Sequence, residues 1–395
     1  MKNLQMNPAW RQSPKWVKFG WVLGRLIGWP ARFVGHPNSL LVILSGSLGD
    51  ALLFSGALRE IRRAVDGRHI VLVVPERMYP FLARCPHVDE ILATPMDAGI
   101  WQRLVRIAHA VRVFSHRYDR VLCPAVMRGE DSELMAYLAI ARRRTLMEWR
   151  SAALLPENSR DALKIFAPAA AQDLHELDRT VLFLQAAGFD GIKSRKDIWP
   201  ETYVTEDERT GARREIGELR LKVPDALVVA VCTGARFKQK DWGTANFIEL
   251  LWQLAQTGPL VVILLGGGDD ESVADAIEAG MGDISTVCVL NKAGRTSLHA
   301  SIALIEQADL CIGNDTFGLH AAIAVGTPSI VVMWGGDNER WAPWGDPIRH
   351  RMVRSRDQTC FGCRGKCIHE EYRCMASISV NDVLSEVLTL LHRES

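Results

Sequence analysis

The sequence lacks an excess of charge of either sign: 47 lysines and arginines stand against 46 aspartates and glutamates, a formal net of +1. No overall field therefore draws the chain to nucleic acid, and any charged partner has to be met locally. It also lacks any stretch near the roughly 18 uninterrupted apolar residues of a membrane-spanning helix, so the body of the protein is expected to be soluble. No repeat at a solenoid period is visible. The first 37 residues contain no acid at all. Cysteine is present at nine positions, but Cys85, Cys123, Cys232, Cys288 and Cys311 are scattered among apolar neighbours. That is the habit of reduced, buried thiols and points to the cytoplasm.

What the acid-free start does contain is four of the twelve tryptophans together with Lys2, Arg11, Lys15, Lys18, Arg25 and Arg32. A helix over Lys15–Trp29 would line Lys15, Lys18 and Arg25, and past Pro30 Arg32, along one stripe. Trp16, Phe19, Leu23, Leu26 and Ile27 would gather on another. A basic face beside Trp, Phe and Leu fits a helix lying in an anionic membrane surface. A packed or disordered extension is the alternative. Arg25 interrupts the apolar run and no small-residue cleavage site follows, which argues against a signal peptide.

At 395 residues the chain is long for one core and comfortable for two. Leu40–Leu44 reads as a buried strand. It is followed by the turn Ser45-Gly46-Ser47-Leu48-Gly49-Asp50 and a helix to about Val65, with Leu52, Leu53, Leu58 and Ile61 at helical spacing. Strands are expected at Ile70–Val74, Glu90–Ala93 and Arg120–Cys123, with helical segments at Tyr79–Arg84, Trp101–Phe114 and His175–Ala187. After Met147 the pattern loosens. A charged, breaker-rich stretch, in which Pro200 and Pro224 bracket a polar helix, reads as a linker. A second unit then runs through strand Leu227–Val231, the turn Cys232–Trp242, helix Thr244–Ala255, strand Leu260–Leu265 and helix Ser297–Gln307. Strand Leu310–Ile312, helix Leu319–Val325 and strand Ser329–Met333 follow, and helix Val380–His392 closes the chain. Alternation at this pace argues for parallel, doubly wound sheets. The expected division is 1–37 extension, 38–200 first domain, 201–224 linker, 225–379 second domain and 380–395 terminal helix.

Three turns carry chemistry. Gly313-Asn314-Asp315-Thr316 joins a buried strand to a small-residue helix ended by Gly326 and Pro328, so free N–H groups at the helix start face the sheet's carboxyl edge, where an anion can sit. Thr316 is placed to cap that helix, leaving Asp315 free for a sugar. Thr233-Gly234-Ala235-Arg236-Phe237-Lys238-Gln239-Lys240-Asp241-Trp242 combines small residues with three cations at another strand end. Cations held there would stabilise the charge that develops on a departing diphosphate. Asp50, at the end of the first glycine-containing turn, is either a helix cap or a carboxylate able to take a proton from an attacking hydroxyl. Gly266-Gly267-Gly268-Asp269-Asp270-Glu271 follows a strand and precedes a helix, yet lacks the Gly-x-Gly-x-x-Gly spacing and distant acid of a nicotinamide site. Finally, Cys360, Cys363, Cys367 and Cys374 fall within fifteen residues. They form a candidate four-thiolate structural site for zinc or iron, with His369 as a substitute ligand. Two disulfides or four thiols remain the alternatives.

Taken together, Ser47-Leu48-Gly49-Asp50, Lys240-Asp241-Trp242 and Gly313-Asn314-Asp315-Thr316 with His320 and Gly326-Thr327-Pro328 resemble family 9 glycosyltransferases, the ADP-heptose heptosyltransferases of lipopolysaccharide assembly. The resemblance covers about Leu40 to Trp344. It implies an α/β, GT-B fold: two Rossmann-like doubly wound domains facing across a cleft, with nucleotide on the C-terminal half and acceptor on the N-terminal half. It further implies an inverting transfer of heptose, or a related sugar, from an ADP-sugar to a membrane-bound glycolipid, with no catalytic metal or other cofactor. Asp50 would be the general base, with Ser47 and Gly49 on the acceptor side. Lys240, with Lys238 as the alternative, would hold phosphate. Thr233, Gly234, Arg236, Asp315, Thr316, Phe317, Gly318 and His320 would line the donor site, and Glu271, with Asp270 next in line, would meet the nucleoside. Phe317-Gly318 departs from the small residue the family usually has after its Asp-Thr pair. A similar cysteine cluster is frequent in the family, and a protein-glycosylating branch carries an iron-bound version. Transfer to a polypeptide, nucleotide-sugar epimerisation and non-catalytic binding stay open as rivals.

Overall fold

The computed structural model describes residues 39–394 apart from 96–99, 115, 125–131, 133–134, 137–138, 148–163, 167–173, 236, 283, 337–339, 343, 357–359, 364–366 and 370. The basic stretch 1–37 and Arg236 lie outside the described residues. The chain divides into two compact units, one ending at Pro200 and the next beginning at Glu201.

The first unit is a six-stranded sheet in the order β3-β2-β1-β4-β5-β6. Its strands are β1 (Ser39–Ile43), β2 (Ile70–Pro75), β3 (Glu90–Thr94), β4 (Arg117–Cys123), β5 (Ile140–Met147) and β6 (Lys164–Phe166), and every pairing is parallel. All five residues of β1 are buried, as its unbroken apolar run requires of a central strand covered on both faces. Helix α1 (Leu48–Ala64) buries Leu52, Leu53, Leu58 and Ile61. Gly56 lies mid-helix because a Cβ there would overlap the backbone carbonyls of Ile198 and Trp199. Helix α2 (Tyr79–Leu82) is short and preceded by a 3-10 turn at Glu76–Met78; α3 (Ile100–Phe114) and α4 (Glu176–Ala186) complete the unit. Strand β5 was not legible in the sequence. Its middle carries Arg142, Arg143 and Arg144, and only Thr145, Leu146 and Met147 are buried.

The second unit repeats the plan in the order β12-β11-β10-β7-β8-β9. The strands are β7 (Leu227–Cys232), β8 (Leu260–Leu265), β9 (Val287–Asn291), β10 (Leu310–Asn314), β11 (Ser329–Val332) and β12 (His350–Val353), again all parallel. Helix α5 (Glu206–Lys222) opens this unit. The linker expected at 201–224 is thereby corrected: α5 starts with a capping box between Thr205 and Glu208 and buries Ala212, Ile216 and Leu219. It is tied to α8 (Leu298–Gln307) by an Arg209–Glu306 ion pair at 2.9 Å. Between these come α6 (Thr244–Ala255) and α7 (Glu271–Met281). Helix α9 (Phe317–Val325) begins two residues earlier than its apolar pattern indicated, and α10 (Arg373–Ala376) and α11 (Val380–Glu394) end the chain.

In each sheet the winding direction reverses once, between β1 and β4 and between β7 and β10. Connections leave to opposite sides at such a point, so a crevice opens outside the strands' carboxyl ends. Asp50 follows β1, while Thr233 follows β7 and Asp315 follows β10.

Candidate active site

In the second unit the two turns at the switch point are stitched together by one buried side chain. Asn314, fully buried, donates from Nδ2 to the Thr233 carbonyl at 2.7 Å and accepts the Trp242 backbone N–H at its Oδ1 at 3.2 Å. Trp242 is anchored further, its indole N–H reaching the Ile378 carbonyl at 2.9 Å and its ring meeting Phe247 edge-on at 5.0 Å. With both ends of the turn fixed, the 3-10 segment Lys238–Lys240 has one register. Lys238 is exposed, and Lys240 turns inward, its Nζ 2.6 Å from Asp315 Oδ2.

Asp315 is therefore not free, as the sequence had indicated, but paired. Burial pushes its carboxyl upward, yet the Lys240 charge, the His320 ring and the Lys240 hydrogen bond outweigh that and hold it below the usual carboxylate range. The Lys240 ammonium also lies over the ring of Trp334, 5.2 Å from its centroid. Thr316 occupies the N-cap of α9 with an extended backbone but makes no side-chain cap hydrogen bond. Gly313 and Gly318 both follow from Cys232: a Cβ at either would overlap Cys232 atoms, so the Phe317-Gly318 departure is the consequence of a cysteine filling the space beneath the helix start.

The neighbouring glycine turn separates the two acidic candidates. Asp270 accepts the Gly267 N–H at 2.8 Å and lies where side chains at Gly234 and Gly266 would stand, so it borders the β7 turn. Burial raises its pKa, partly offset by the Gly267 N–H and reinforced by Asp269. Glu271, the first choice from sequence, is exposed and turns toward Gly294 instead.

In the first unit, Asp50 is the third residue of α1, and its Oδ2 accepts both the Ser47 N–H at 2.5 Å and the Ser47 hydroxyl at 2.8 Å. Gly46 has φ of +139° and no room for a Cβ beside the Asp50 carboxylate, so glycine is required there. The Arg77 guanidinium donates to the Gly46 carbonyl and braces the turn. Asp50 lines a small pocket with Leu44, Leu53, Phe54, Met78, Pro124, Glu176 and Thr180. Gly49 is buried in the first turn of α1.

A carboxylate at one switch point and a lysine–aspartate pair at the other are what the comparisons then meet. The model of glycosyltransferase family 9 (heptosyltransferase) matches residues 107–371, well over half the chain. The chain belongs to glycosyltransferase family 9. It is 26% identical over 329 residues to lipopolysaccharide heptosyltransferase 3 of Escherichia coli K12, covering 78% of this chain and 90% of that one. To lipooligosaccharide heptosyltransferase 2 of Haemophilus ducreyi it is 22% identical over 307 residues, covering 77% and 85%. Among solved structures, E. coli ADP-heptose lps heptosyltransferase II aligns with a TM-score of 0.64 at 22% identity over 90% of this chain and all of that one. A family 9 protein from Veillonella parvula aligns at 0.70 and 17% identity, covering 91% and 98%. The two Rossmann-like parallel sheets match the GT-B fold of these structures.

In this transferase His320 has a structural setting. Its Nδ1 accepts the Trp344 indole N–H at 3.0 Å, which leaves the ring proton on Nε2, 3.8 Å from Asp315 Oδ1. Burial lowers its pKa to about 4, against an upward pull from Asp315 and with a smaller push downward from the Lys240 charge. His350, which shares a 3.0 Å hydrogen bond with Ser329, is lowered to about 4 by burial and by Arg349, with Asp346 opposing. Both rings are thus neutral when folded but bind protons below about pH 6.5 when unfolded. The unfolded state then holds the extra protons, so stability is full above pH ~6.5 and lost as pH falls toward 4, by about 3 kcal/mol per histidine at most. Urea midpoints at pH 7 and 4.5 should differ accordingly, and His350→Asn should flatten the slope. A pH-independent midpoint over that window would contradict it.

The sequence reading missed Asn314, Arg77, Glu176, Trp334 and Trp344 as site components. The last two lie in a stretch with three tryptophans at 334, 341 and 344, which was the available signal. At the cysteine cluster, Cys360, Cys363, Cys367 and Cys374 are half-buried and share one neighbourhood: burial raises the Cys374 thiol, and charge on Cys363, Cys360 and Cys367 adds to it. Their soft sulfurs suit zinc or iron. Among the described residues no three His, Cys, Asp or Glu side chains converge as a metal-holding group, and no chemical step is assigned to the cluster.

Proposed function

We propose that this chain transfers a heptose, or a closely related sugar, from an ADP-sugar to a lipopolysaccharide-type glycolipid with inversion at the anomeric carbon. The observation that carries the reading is the Lys240–Asp315 pair at the second sheet's switch point, held in place by Asn314. The names of the matched relatives, heptosyltransferases of lipooligosaccharide and lipopolysaccharide, supply the sugar and acceptor class.

In this reading Asp50 takes the proton of the acceptor hydroxyl as its oxygen attacks the anomeric carbon. The bond from that carbon to the diphosphate breaks, and ADP leaves with the electron pair. Lys240 and the N–H groups at the start of α9 meet the charge that develops on the diphosphate. Thr233, Gly234 and Thr316 border the phosphates, Asp315 contacts the sugar, and Asp270 takes the nucleoside side in place of Glu271. No helix among the described residues is long and apolar enough to cross a membrane. The basic, tryptophan-rich stretch before residue 38 would hold the enzyme on the cytoplasmic face, where a lipid-linked acceptor is displayed.

A thermal-shift panel of ADP-, UDP-, GDP- and dTDP-sugars tests the donor assignment, because a ligand that binds only the folded state raises the melting temperature. The ADP-sugar should give the largest shift. Preference for a non-adenine nucleotide would overturn the assignment.

A further inference from the structure

Lys240 cannot serve a diphosphate and Asp315 equally well, and what happens to Asp315 when the lysine moves is decided by its surroundings. The side chain of Asp315 is only 2% exposed, whereas that of Lys240 is 16% exposed. A buried carboxylate that loses its cation with nothing in exchange would weaken donor binding by about 100-fold or more. Among the described residues, three polar side chains act on that carboxylate. His320 has its Nε2 at 3.8 Å, beyond hydrogen-bond length, and its ring is held from the other side by Trp344. Lys240 is in contact. The third is Trp334, which is 6% exposed.

Trp334 is unusual in this company. Its Nε1–H is buried and completes no hydrogen bond among the described residues. Toward Asp315 it makes only the beginnings of a hydrogen bond, the smallest of the influences on that carboxyl and short of a completed one. Its ring is fixed on one side by Gly336, where a Cβ would overlap the indole, and Lys240 rests over it. A buried indole donor left unsatisfied is costly, and such groups usually find a partner.

We propose that Trp334 is a positioning residue for the donor lysine: Lys240 rests on Asp315 and on the Trp334 ring in the free enzyme, and when a nucleoside diphosphate draws Lys240 away the Trp334 indole N–H closes on Asp315 in its place. Turning the carboxylate about its terminal torsion, which is broad and inexpensive for aspartate, would bring it toward the indole. The exchange keeps Asp315 satisfied in both states and lets Lys240 leave. This inference rests on the donor reading proposed above.

The test uses the full-length protein. Trp334→Phe keeps a ring face under Lys240 and removes only the N–H. Its melting temperature without ligand should equal or exceed that of the wild type, and its affinity for the ADP-sugar should fall about 10-fold, as for one hydrogen bond to a charged group. Independently, the indole N–H resonance of Trp334 in the wild type, assigned by its loss in the variant, should move downfield when ADP is added. Unchanged affinity in the variant, loss of melting temperature in step with affinity, or a stationary resonance in ADP-saturated wild type would each overturn the exchange while leaving the donor reading intact. A wild type that binds no nucleotide would overturn both.

Discussion

Asp50→Asn should lower sugar transfer by about 100-fold or more, the scale of a lost general base, while donor affinity stays within about twofold of the wild type. Asparagine keeps an oxygen that can accept the Ser47 N–H, now at 2.5 Å from the Asp50 carboxylate, so the start of α1 is preserved. What disappears is the charge and basicity. Asp50 is also the acid of an ordinary capping box, and that role alone would predict a modest loss of stability with turnover intact. Steady-state rates and donor binding, measured side by side with unfolding, separate the two. Transfer within a few-fold of the wild type would remove Asp50 from the chemistry.

The second large effect concerns stability. Lys240→Met leaves the Asp315 carboxylate, 2% exposed, without its cation and should destabilise the second unit by about 3–5 kcal/mol, less the part that the Trp334 indole N–H restores. Asp315→Asn should cost less, because Lys240 at 16% exposure can turn to water. Replacing both, as Lys240→Met with Asp315→Leu, should recover much of the loss, since an apolar pair can substitute for a buried ion pair. All three variants should be inactive. Urea unfolding with a donor-binding measurement distinguishes this from a loosely held surface lysine, whose removal would cost well under 1 kcal/mol. A small loss for Lys240→Met in a Trp334→Phe background, where no indole N–H can take the lysine's place, would mean that the pair is not the buried partnership described.

How far these features could be read in advance depended on burial. Strands such as Leu40–Ile43, Leu227–Cys232 and Leu260–Leu265 are continuous apolar runs because both faces of the sheet are covered, and they were legible. Strand β5 was hidden by Arg142–Arg144, the first two of which are exposed, so its first five residues show no apolar run and no alternation. Helix α5 was taken for a linker because only Ala212, Ile216 and Leu219 of its seventeen residues are buried, and a charged helix with so narrow an apolar stripe looks like a spacer. At the site, Lys240 and Asp315 were each recognisable as turn residues. Their direct contact was not, being a matter of register across 75 residues of chain that Asn314 sets through two hydrogen bonds. The placing of Asp270 and Glu271 was hidden for a similar reason: which of two adjacent acids faces Gly234 is decided by the turn of a short 3-10 segment, Gly268–Asp270. Trp334 and Trp344 come from loops beyond β11, and nothing local to them indicates that they meet Asp315 and His320.

The central claim is transfer itself, and it is tested most directly by incubating the purified protein with ADP-heptose and a heptose-deficient lipopolysaccharide, then weighing the glycolipid by mass spectrometry while following ADP. The account predicts a glycolipid heavier by one heptose, with ADP released in equal amount and only when acceptor is present. An acceptor of unchanged mass, with the nucleotide-sugar converted or cleaved equally well in its absence, would contradict it.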